Sequence, residues 1–163
     1  MMKEVTLGGV FLDAKTKTPI VLLKDSLEEY GLPIYITKDL ARAILSATQK
    51  QKPRPMTHDL FANFLDIWSI NLERIVINSC ENKTYFAVLV VKQNGTIKEI
   101  DCRPSDAIAL ALRTNSPILV SETLMNNNSV LLENNNGYIT WQDSTNNRKN
   151  KFLIGNLLHR LRS

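Results

Sequence analysis

The alternation of apolar and polar positions divides the chain into strands and helices. Segments rich in β-branched and aromatic residues predict strands over residues 3–12, 17–24, 32–36, 72–79, 84–91, 96–101 and 117–120. Apolar residues at helical spacing predict helices over residues 37–51 and 57–69, which a Pro-rich segment separates. Asn94-Gly95 predicts a tight hairpin. Gly8-Gly9 predicts a bulge or a close backbone approach within the first strand.

One further segment is apolar at every position from Ala107 to Leu112, with Asp106 before it and Arg113 after it. A helix without a polar stripe is expected to be buried on most sides. We therefore expect a core helix with charges only at its entry and exit, which also presents chemistry. A short strand and about one turn of helix are predicted to follow it.

The two helices that the Pro-rich segment separates are expected to pack as a pair on one face of the sheet. Residues 1–133 are expected to form a single domain. Residues 134–150 are polar and Asn-rich, which predicts a linker with one short strand near residues 138–141. Residues 151–163 predict a basic amphipathic helix. Its apolar face would dock on the domain or on a neighbouring subunit, or its bases would contact nucleic acid or an anionic membrane.

The charge of the chain is concentrated at its C-terminal end. The net charge over 163 residues is +4, and residues 134–163 supply all of it with five bases and one acid. The expected domain is formally neutral, so total charge is a weak argument for nucleic-acid binding. No apolar run approaches the roughly 18 residues of a membrane span, and no secretion signal is evident. Cys80 and Cys102 are expected to be reduced thiols, which favours a cytoplasmic protein without a membrane partner.

Two segments share a design at the predicted starts of helices. They read Arg54-Pro55-Met56-Thr57-His58-Asp59 and Arg103-Pro104-Ser105-Asp106, and we call them the first and second elbows. In each, proline suits the start of a helix, a hydroxyl residue (Thr57 or Ser105) can cap it, and an acid complements the helix dipole. Two well-capped helices, with the arginines bridging to nearby carboxylates, would account for both segments.

A functional interpretation requires the two elbows to meet in space. They would then combine four candidate catalytic residues with two candidate phosphate ligands. The catalytic candidates are Asp59, Asp106, His58 and Asp101, and the phosphate ligands are Arg54 and Arg103. Asp59 and Asp106 could share a divalent metal such as magnesium. Carboxylates, a histidine and arginine forks are suited to metal-assisted phosphodiester hydrolysis.

Three segments together resemble the bifunctional nuclease family: residues 53–60, residues 84–89 and residues 101–120. The resemblance extends over about residues 3–126. It implies a compact α+β domain with a mixed or antiparallel sheet and flanking helices, often found as an oligomer. The implied activity is cleavage of DNA and RNA with little sequence preference. A homo-oligomer acting on DNA or RNA is therefore the expected assembly.

The chain departs from the family pattern in two places. Leu40 stands where the family tends to carry a glutamate, and Cys102 replaces a small residue between Asp101 and Arg103. A site that depends on that glutamate would be weakened here. The alternative hypothesis is a non-enzymatic oligomeric binding or regulatory module, in which the elbows are structural ion pairs.

Overall fold

A long first strand joins two parts of an extended sheet. The computed structural model describes residues 1–27, 29–49, 54–135, 138–143 and 148–153, with side chains described up to residue 133. The strands are β1 (Met2–Asp13), β2 (Pro19–Lys24), β3 (Tyr30–Tyr35), β4 (Asn71–Glu81), β5 (Thr84–Gln93), β6 (Thr96–Cys102), β7 (Ile118–Ser121), β8 (Val130–Leu131), β9 (Glu133–Asn135), β10 (Tyr138–Asp143) and β11 (Arg148–Leu153). The helices are α1 (Lys38–Ala47), α2 (Thr57–Ile67), α3 (Pro104–Thr114) and α4 (Glu122–Asn128).

The strands follow the order β6-β5-β4-β7-β1-β11-β10-β9, and β2, β3 and β8 branch from β1. The first residues of β1 pair with β7, and the later ones pair with β2. The register on β2 shifts between Leu7 and Gly9, where Gly9 has a φ of 137°. This is the predicted bulge at Gly8-Gly9, and a bulge bends a strand so that it can serve two sheet surfaces.

Strands β4 and β7 run parallel, whereas the other described pairs are antiparallel. The hairpin between β5 and β6 turns at Asn94 and Gly95, whose φ values are 49° and 79°. Both values are positive, as a two-residue hairpin turn requires. The predicted α+β class with a mixed sheet is confirmed.

Helix α3 forms the centre of the helical layer. Its residues Ala107 to Ala111 are all buried, as the apolar sequence predicted. The helix packs on β4 and β5, while α1 and α2 both pack against α3. It ends at Asn115 in the left-handed conformation, with a φ of 52°. The start of α3 is thereby held at the junction with β6 and beside α2.

The starts of the helices differ in part from the prediction. Thr37 caps α1, since its hydroxyl accepts a hydrogen bond from the Leu40 amide at 3.4 Å. For α2 and α3 the N-caps are Met56 and Arg103, so Thr57 and Ser105 lie inside the helices and the capping prediction is wrong. Proline at the first helical position has the required φ and moves the start of α3 ahead of Ser105. In α2 the Asp59 carboxylate accepts the Met56 amide at 2.8 Å and so takes over the capping role.

The C-terminal segment contains more strand than its composition predicted. Strand β10 agrees with the short strand expected near residues 138–141. Strand β11 pairs with both β10 and β1, and it includes residues 151–153, which had been predicted to begin a helix. The rest of the predicted helix, residues 154–163, lies outside the described residues. None of the described helices is long and apolar enough to cross a membrane.

Candidate functional site

The two elbows meet where the first turns of α2 and α3 face each other. His58 Nε2 lies 2.9 Å from Asp106 Oδ1, although the residues are 48 positions apart in the sequence. Both side chains are partly buried, with 15% of His58 and 25% of Asp106 exposed. The functional interpretation required the two elbows to meet, and His58 and Asp106 are in contact.

Arg103 completes a three-residue cluster with His58 and Asp106, which we call the elbow cluster. Arg103 Nε donates a hydrogen bond to Asp106 Oδ2 at 2.6 Å, so each oxygen of this carboxylate has a partner. The Arg103 side chain is 70% exposed. Its contact with Asp106 uses Nε, and none of the described hydrogen bonds uses its terminal guanidinium nitrogens, the groups with which arginine binds anions.

Competing effects set the pKa of Asp106. Burial raises the pKa of this carboxyl, but the hydrogen bonds from Arg103 and His58 and the charge of Arg103 lower it by more, so that it lies below its usual range. The carboxylate is therefore ionised at neutral pH. It can orient His58 through one oxygen and Arg103 through the other.

The carboxylate of the first elbow has a different environment. Asp59 Oδ1 accepts a hydrogen bond from Arg113 Nε at 2.8 Å, and Oδ2 accepts the Met56 amide. Arg113 is only 3% exposed, and its terminal nitrogens donate to the carbonyls of Ala43 and Ala109 and to the Ser46 hydroxyl. This buried pair holds α2 to the C-terminal half of α3 and to α1.

The remaining predicted residues lie outside the elbow cluster. Arg54 is exposed before α2, and none of the described hydrogen bonds or ion pairs involves it. Asp101 is exposed on β6. Its neighbour Cys102 packs against the core on the helical side of the sheet, and alternation along a strand places Asp101 on the opposite face. Thr57 is exposed and Ser105 is buried.

A divalent cation such as magnesium stays a prediction. A cation shared by Asp59 and Asp106 would have to compete with Arg113 at a carboxylate whose oxygens both have partners. Within the described part of the chain, no group of three or more His, Cys, Asp or Glu side chains could hold a metal ion. The residues of the elbow cluster thus fit an acid–base and anion-binding arrangement better than a site with two carboxylate ligands.

The sequence profile of the bifunctional nuclease domain matches residues 21–133 of this chain, which is more than half of its length. The chain belongs to the bifunctional nuclease domain family. It is similar to two uncharacterised proteins of Mycobacterium tuberculosis, from strains CDC 1551 / Oshkosh and H37Rv, each 34% identical over 125 residues. Each match covers 76% of this chain and 74% of the relative.

A plant relative carries a name that states an activity. This chain is 28% identical over 121 residues to the Arabidopsis thaliana protein Bifunctional nuclease 1. The match covers 72% of this chain and 37% of the plant protein. The matched segments contain both elbows, so the family relationship bears directly on the elbow cluster.

Leu40, which stands where the family tends to carry a glutamate, lies on α1. Leu40 is partly buried and packs against the hydrophobic core. Its neighbour Asp39 pairs with Arg42 at 3.6 Å on the exposed side of α1. Neither residue therefore supplies a carboxylate to the elbow cluster.

Cys102 behaves as a small, partly buried hydrophobic residue that packs against the core. Burial, followed by the charges of Asp101 and Asp106, raises the pKa of its thiol to about 11. The thiol lies 3.6 Å from the Ala87 carbonyl, to which it donates. It is thus protonated at neutral pH and unsuited to act as a nucleophile.

The sequence did not reveal Arg113 as the partner of Asp59. Arg113 was noted as the charge that ends α3, a position that the helix dipole alone explains. The two residues are 54 positions apart, and no local spacing connects them. The sequence signal was an arginine placed directly after a helix that is apolar all round. Such a helix is expected to be buried, and a charge at its end is then normally paired with a carboxylate.

Proposed function

We propose that this chain hydrolyses phosphodiester bonds in DNA and RNA with little sequence preference, and that the elbow cluster is the site of the reaction. The observation that carries the proposal is the contact of His58 with Asp106 beside the exposed Arg103, in a domain of the bifunctional nuclease family. The cluster combines a group that transfers protons, a group that orients it and a group that binds phosphate.

His58 is the proposed general base. When Nε2 carries the proton donated to Asp106, the lone pair remains on Nδ1. Nδ1 can then accept a proton from the water or sugar hydroxyl that attacks phosphorus. The resulting imidazolium is stabilised by the Asp106 carboxylate and can return the proton to the leaving oxygen.

Arg103 is the proposed phosphate ligand, and Arg54 is a second one at the start of α2. Both side chains are exposed, and guanidinium groups bind phosphate oxygens through paired hydrogen bonds. Phosphate contacts carry no direct base information, which accounts for little sequence preference. In this proposal Asp59 acts by positioning α2 through Arg113, and Asp101 is a further carboxylate outside the cluster.

The experiment is a cleavage assay of the purified full chain on single-stranded RNA and plasmid DNA. We expect His58→Ala and Asp106→Asn to reduce the rate by about 100-fold or more, the usual contribution of acid–base catalysis. Arg103→Ala should mainly raise KM. Arg42→Ala, an exposed arginine on α1, serves as the matched control and should cleave like the wild type. Absence of cleavage by the wild type, or full activity of His58→Ala, would overturn the proposal.

The same assay tests the predicted magnesium. Cleavage is measured after EDTA treatment and after Mg²⁺ is restored. Loss and recovery of activity would indicate that a cation participates, with Asp106 as the more accessible of the two predicted ligands. Unchanged cleavage in EDTA would remove the cation from the proposal.

A non-enzymatic oligomeric binding or regulatory module is the second candidate. The buried Asp59–Arg113 pair favours it, because there the carboxylate of an elbow serves packing. This candidate predicts that Arg103→Ala lowers the melting temperature more than it weakens nucleic-acid binding. The nuclease proposal predicts the reverse, since Arg103 is largely exposed and surface ion pairs contribute little to stability. A thermal melt and a binding titration of this variant distinguish the two.

We also propose a cytoplasmic location. Cys80 and Cys102 are both unpaired among the described residues, as expected for a reducing compartment. Fractionation of cells that produce the tagged chain tests this proposal, and recovery in an extracellular fraction would contradict it.

A further inference from the structure

Helix α2 and its C-terminal cap carry a row of exposed aromatic rings. Phe61, Phe64 and Trp68 are 38%, 48% and 59% exposed. Their ring centroids are 6.4 Å apart for Phe61–Phe64 and 6.1 Å apart for Phe64–Trp68. The first two rings are stacked, with an angle of 25° between their planes. We call these three residues the aromatic row.

The aromatic row begins one helical turn from the elbow cluster. Phe61 lies three residues after His58. Because successive residues of an α-helix are rotated by about 100°, the three rings lie about 60–120° to one side of His58 around the helix axis. By the same geometry the exposed acid of this helix, Asp66, lies about 80° to the other side of His58. The row therefore leads away from His58 along a side of α2 that carries no acid.

Positive charge lies at the start of the aromatic row. Arg103 of the elbow cluster is 70% exposed, and Arg54 is exposed just before α2. Helix α2 itself contains no lysine or arginine. A ligand that follows the row would thus meet guanidinium groups at one end and uncharged rings beyond them. Proteins that bind single-stranded nucleic acid combine these two features, since cations contact the phosphates and aromatic rings stack on the bases.

The aromatic row can stack on bases of any identity, because every base has a π-face. It extends over seven residues from Phe61 to Trp68, or about 10 Å along the helix. With one base for each ring, it accommodates up to three nucleotides. Bases inside a duplex are already stacked on each other, so the row is available only to unpaired bases.

We propose that the aromatic row is a binding site for the unpaired bases of a nucleic-acid strand whose phosphate is held at the elbow cluster. This inference rests on the proposed nuclease function, because it takes Arg103 and Arg54 as the phosphate ligands. It adds a substrate form, the single strand, and a site that holds the nucleotides on one side of the phosphate to be cleaved. Stacking also keeps the strand beside His58 without selecting a sequence.

Fluorescence anisotropy of the full chain with a labelled single strand of about 12 nucleotides tests the site. A His58→Ala background prevents cleavage. We expect Phe64→Leu and Trp68→Leu each to raise Kd about fivefold or more, because leucine stays apolar but has no ring to stack. The matched controls are Leu60→Ala and Ile67→Ala, which remove exposed apolar side chains from the side of α2 away from His58 and should bind like the parent. Circular dichroism confirms that each variant is folded.

A strand without bases separates stacking from phosphate binding. An abasic oligonucleotide of the same length keeps the phosphates, so Phe64→Leu and Trp68→Leu should bind it as the parent does. The slope of log K against log salt concentration for the normal strand should stay unchanged in both variants, because stacking releases no counterions. Trp68 and Trp141 are the two tryptophans of the chain. In a Trp141→Phe background, the fluorescence of Trp68 should be quenched by the normal strand and not by the abasic one.

Three results would overturn the site. They are unchanged binding of the normal strand by both leucine variants, an equal loss of affinity for the abasic strand, and equal losses for Leu60→Ala and Ile67→Ala, which would indicate a general apolar docking surface. Binding and cleavage are measured separately, so the two proposals can fail separately. A chain that binds through the row but does not cleave would retain this site and overturn the nuclease, whereas cleavage with unchanged binding by the leucine variants would do the reverse.

Discussion

Removing the carboxylate of Asp59 should lower the free energy of unfolding much more than removing that of Asp106. Asp59→Asn leaves the buried Arg113 without its charged partner. Removing one member of a buried ion pair typically costs about 3–5 kcal/mol of unfolding free energy. Asp106 is more exposed, and its partner Arg103 lies mainly in solvent, so Asp106→Asn should change stability little while it reduces cleavage. Urea unfolding and the cleavage assay together measure both effects.

The control for this comparison is Asp39→Asn, which removes an exposed carboxylate paired with Arg42. It should leave both stability and cleavage unchanged. Equal losses of stability for Asp59→Asn and Asp106→Asn would contradict the assignment of different roles to the two elbows.

At the scale of residues, local sequence encodes some contacts of the elbows and leaves others undetermined. The similarity of the elbows left two interpretations open, and the contact between His58 and Asp106 provides the meeting that the functional one required. It did not predict which carboxylate would be buried. The same Arg-Pro design stands at both helices, but only α2 begins beside the C-terminal end of α3, where Arg113 lies. Side-chain partners of this kind depend on how helices cross, which local spacing does not encode.

Cys102 provides a test of local electrostatics. Its pKa is raised to about 11 by burial and then by neighbouring carboxylates, so the reactive thiolate is scarce below that pH. In a Cys80→Ala background, alkylation of Cys102 by iodoacetamide at pH 8 should be slower than that of a free cysteine by at least about tenfold, since rate follows the thiolate fraction. The rate should rise as pH approaches 11. Denatured protein is the control, and rapid alkylation of the folded chain at pH 8 would contradict this prediction.

At the scale of elements, the hairpin between β5 and β6 isolates a backbone effect. Gly95 has a φ of 79°, and a Cβ added there would meet no atom within 4 Å. Any cost of Gly95→Ala therefore comes from the left-handed backbone, which disfavours residues with a Cβ by about 1–2 kcal/mol. Asn94→Gly at the preceding position, where φ is 49°, should be neutral or slightly stabilising. Chemical denaturation of both variants measures the difference. An unaffected Gly95→Ala would show that the turn relaxes to another type.

Elements up to α4 were predictable because their periodicity and turn residues agree with the fold. The strands beyond residue 130 were less predictable, because an Asn-rich segment has low strand propensity and because β11 depends on pairing with β1. Helix α2 shows a different limit of prediction from apolar spacing. Its apolar spacing correctly predicted a helix, but the spacing does not show which of the apolar side chains the fold buries. The structure buries Leu65 and leaves Phe64 exposed.

At the scale of the whole molecule, the concentration of positive charge in residues 134–163 is the main electrostatic feature. Three of these bases, Arg148, Lys149 and Lys151, lie on β11, which pairs with β1. Residues 1–133 contain equal numbers of acidic and basic residues, and residues 134–163 contain an excess of four bases. The elbow cluster itself adds one exposed arginine beside an ionised carboxylate. A polyanionic substrate would therefore be attracted mainly by the C-terminal bases. The alternative is that the apolar side of that segment serves packing and its charges stay in solvent.

Salt dependence distinguishes these alternatives, because each phosphate contact on a single strand contributes about −0.7 to the slope of log K against log salt concentration. Five bases lie in this region: Arg148, Lys149, Lys151, Arg160 and Arg162. If all of them contact RNA, their replacement by glutamine should make the slope shallower by roughly 3 to 4. Fluorescence anisotropy with a labelled single-stranded RNA measures the slope, in a His58→Ala background so that the RNA is not cleaved.

The matched control replaces five exposed lysines of the domain with glutamine: Lys15, Lys38, Lys83, Lys92 and Lys98. It changes the net charge by the same amount, so a general effect of charge would alter both slopes alike. We expect the control to retain most of the wild-type slope. An unchanged slope after replacement of the C-terminal bases would contradict their role in binding and would assign the phosphate contacts to Arg54 and Arg103.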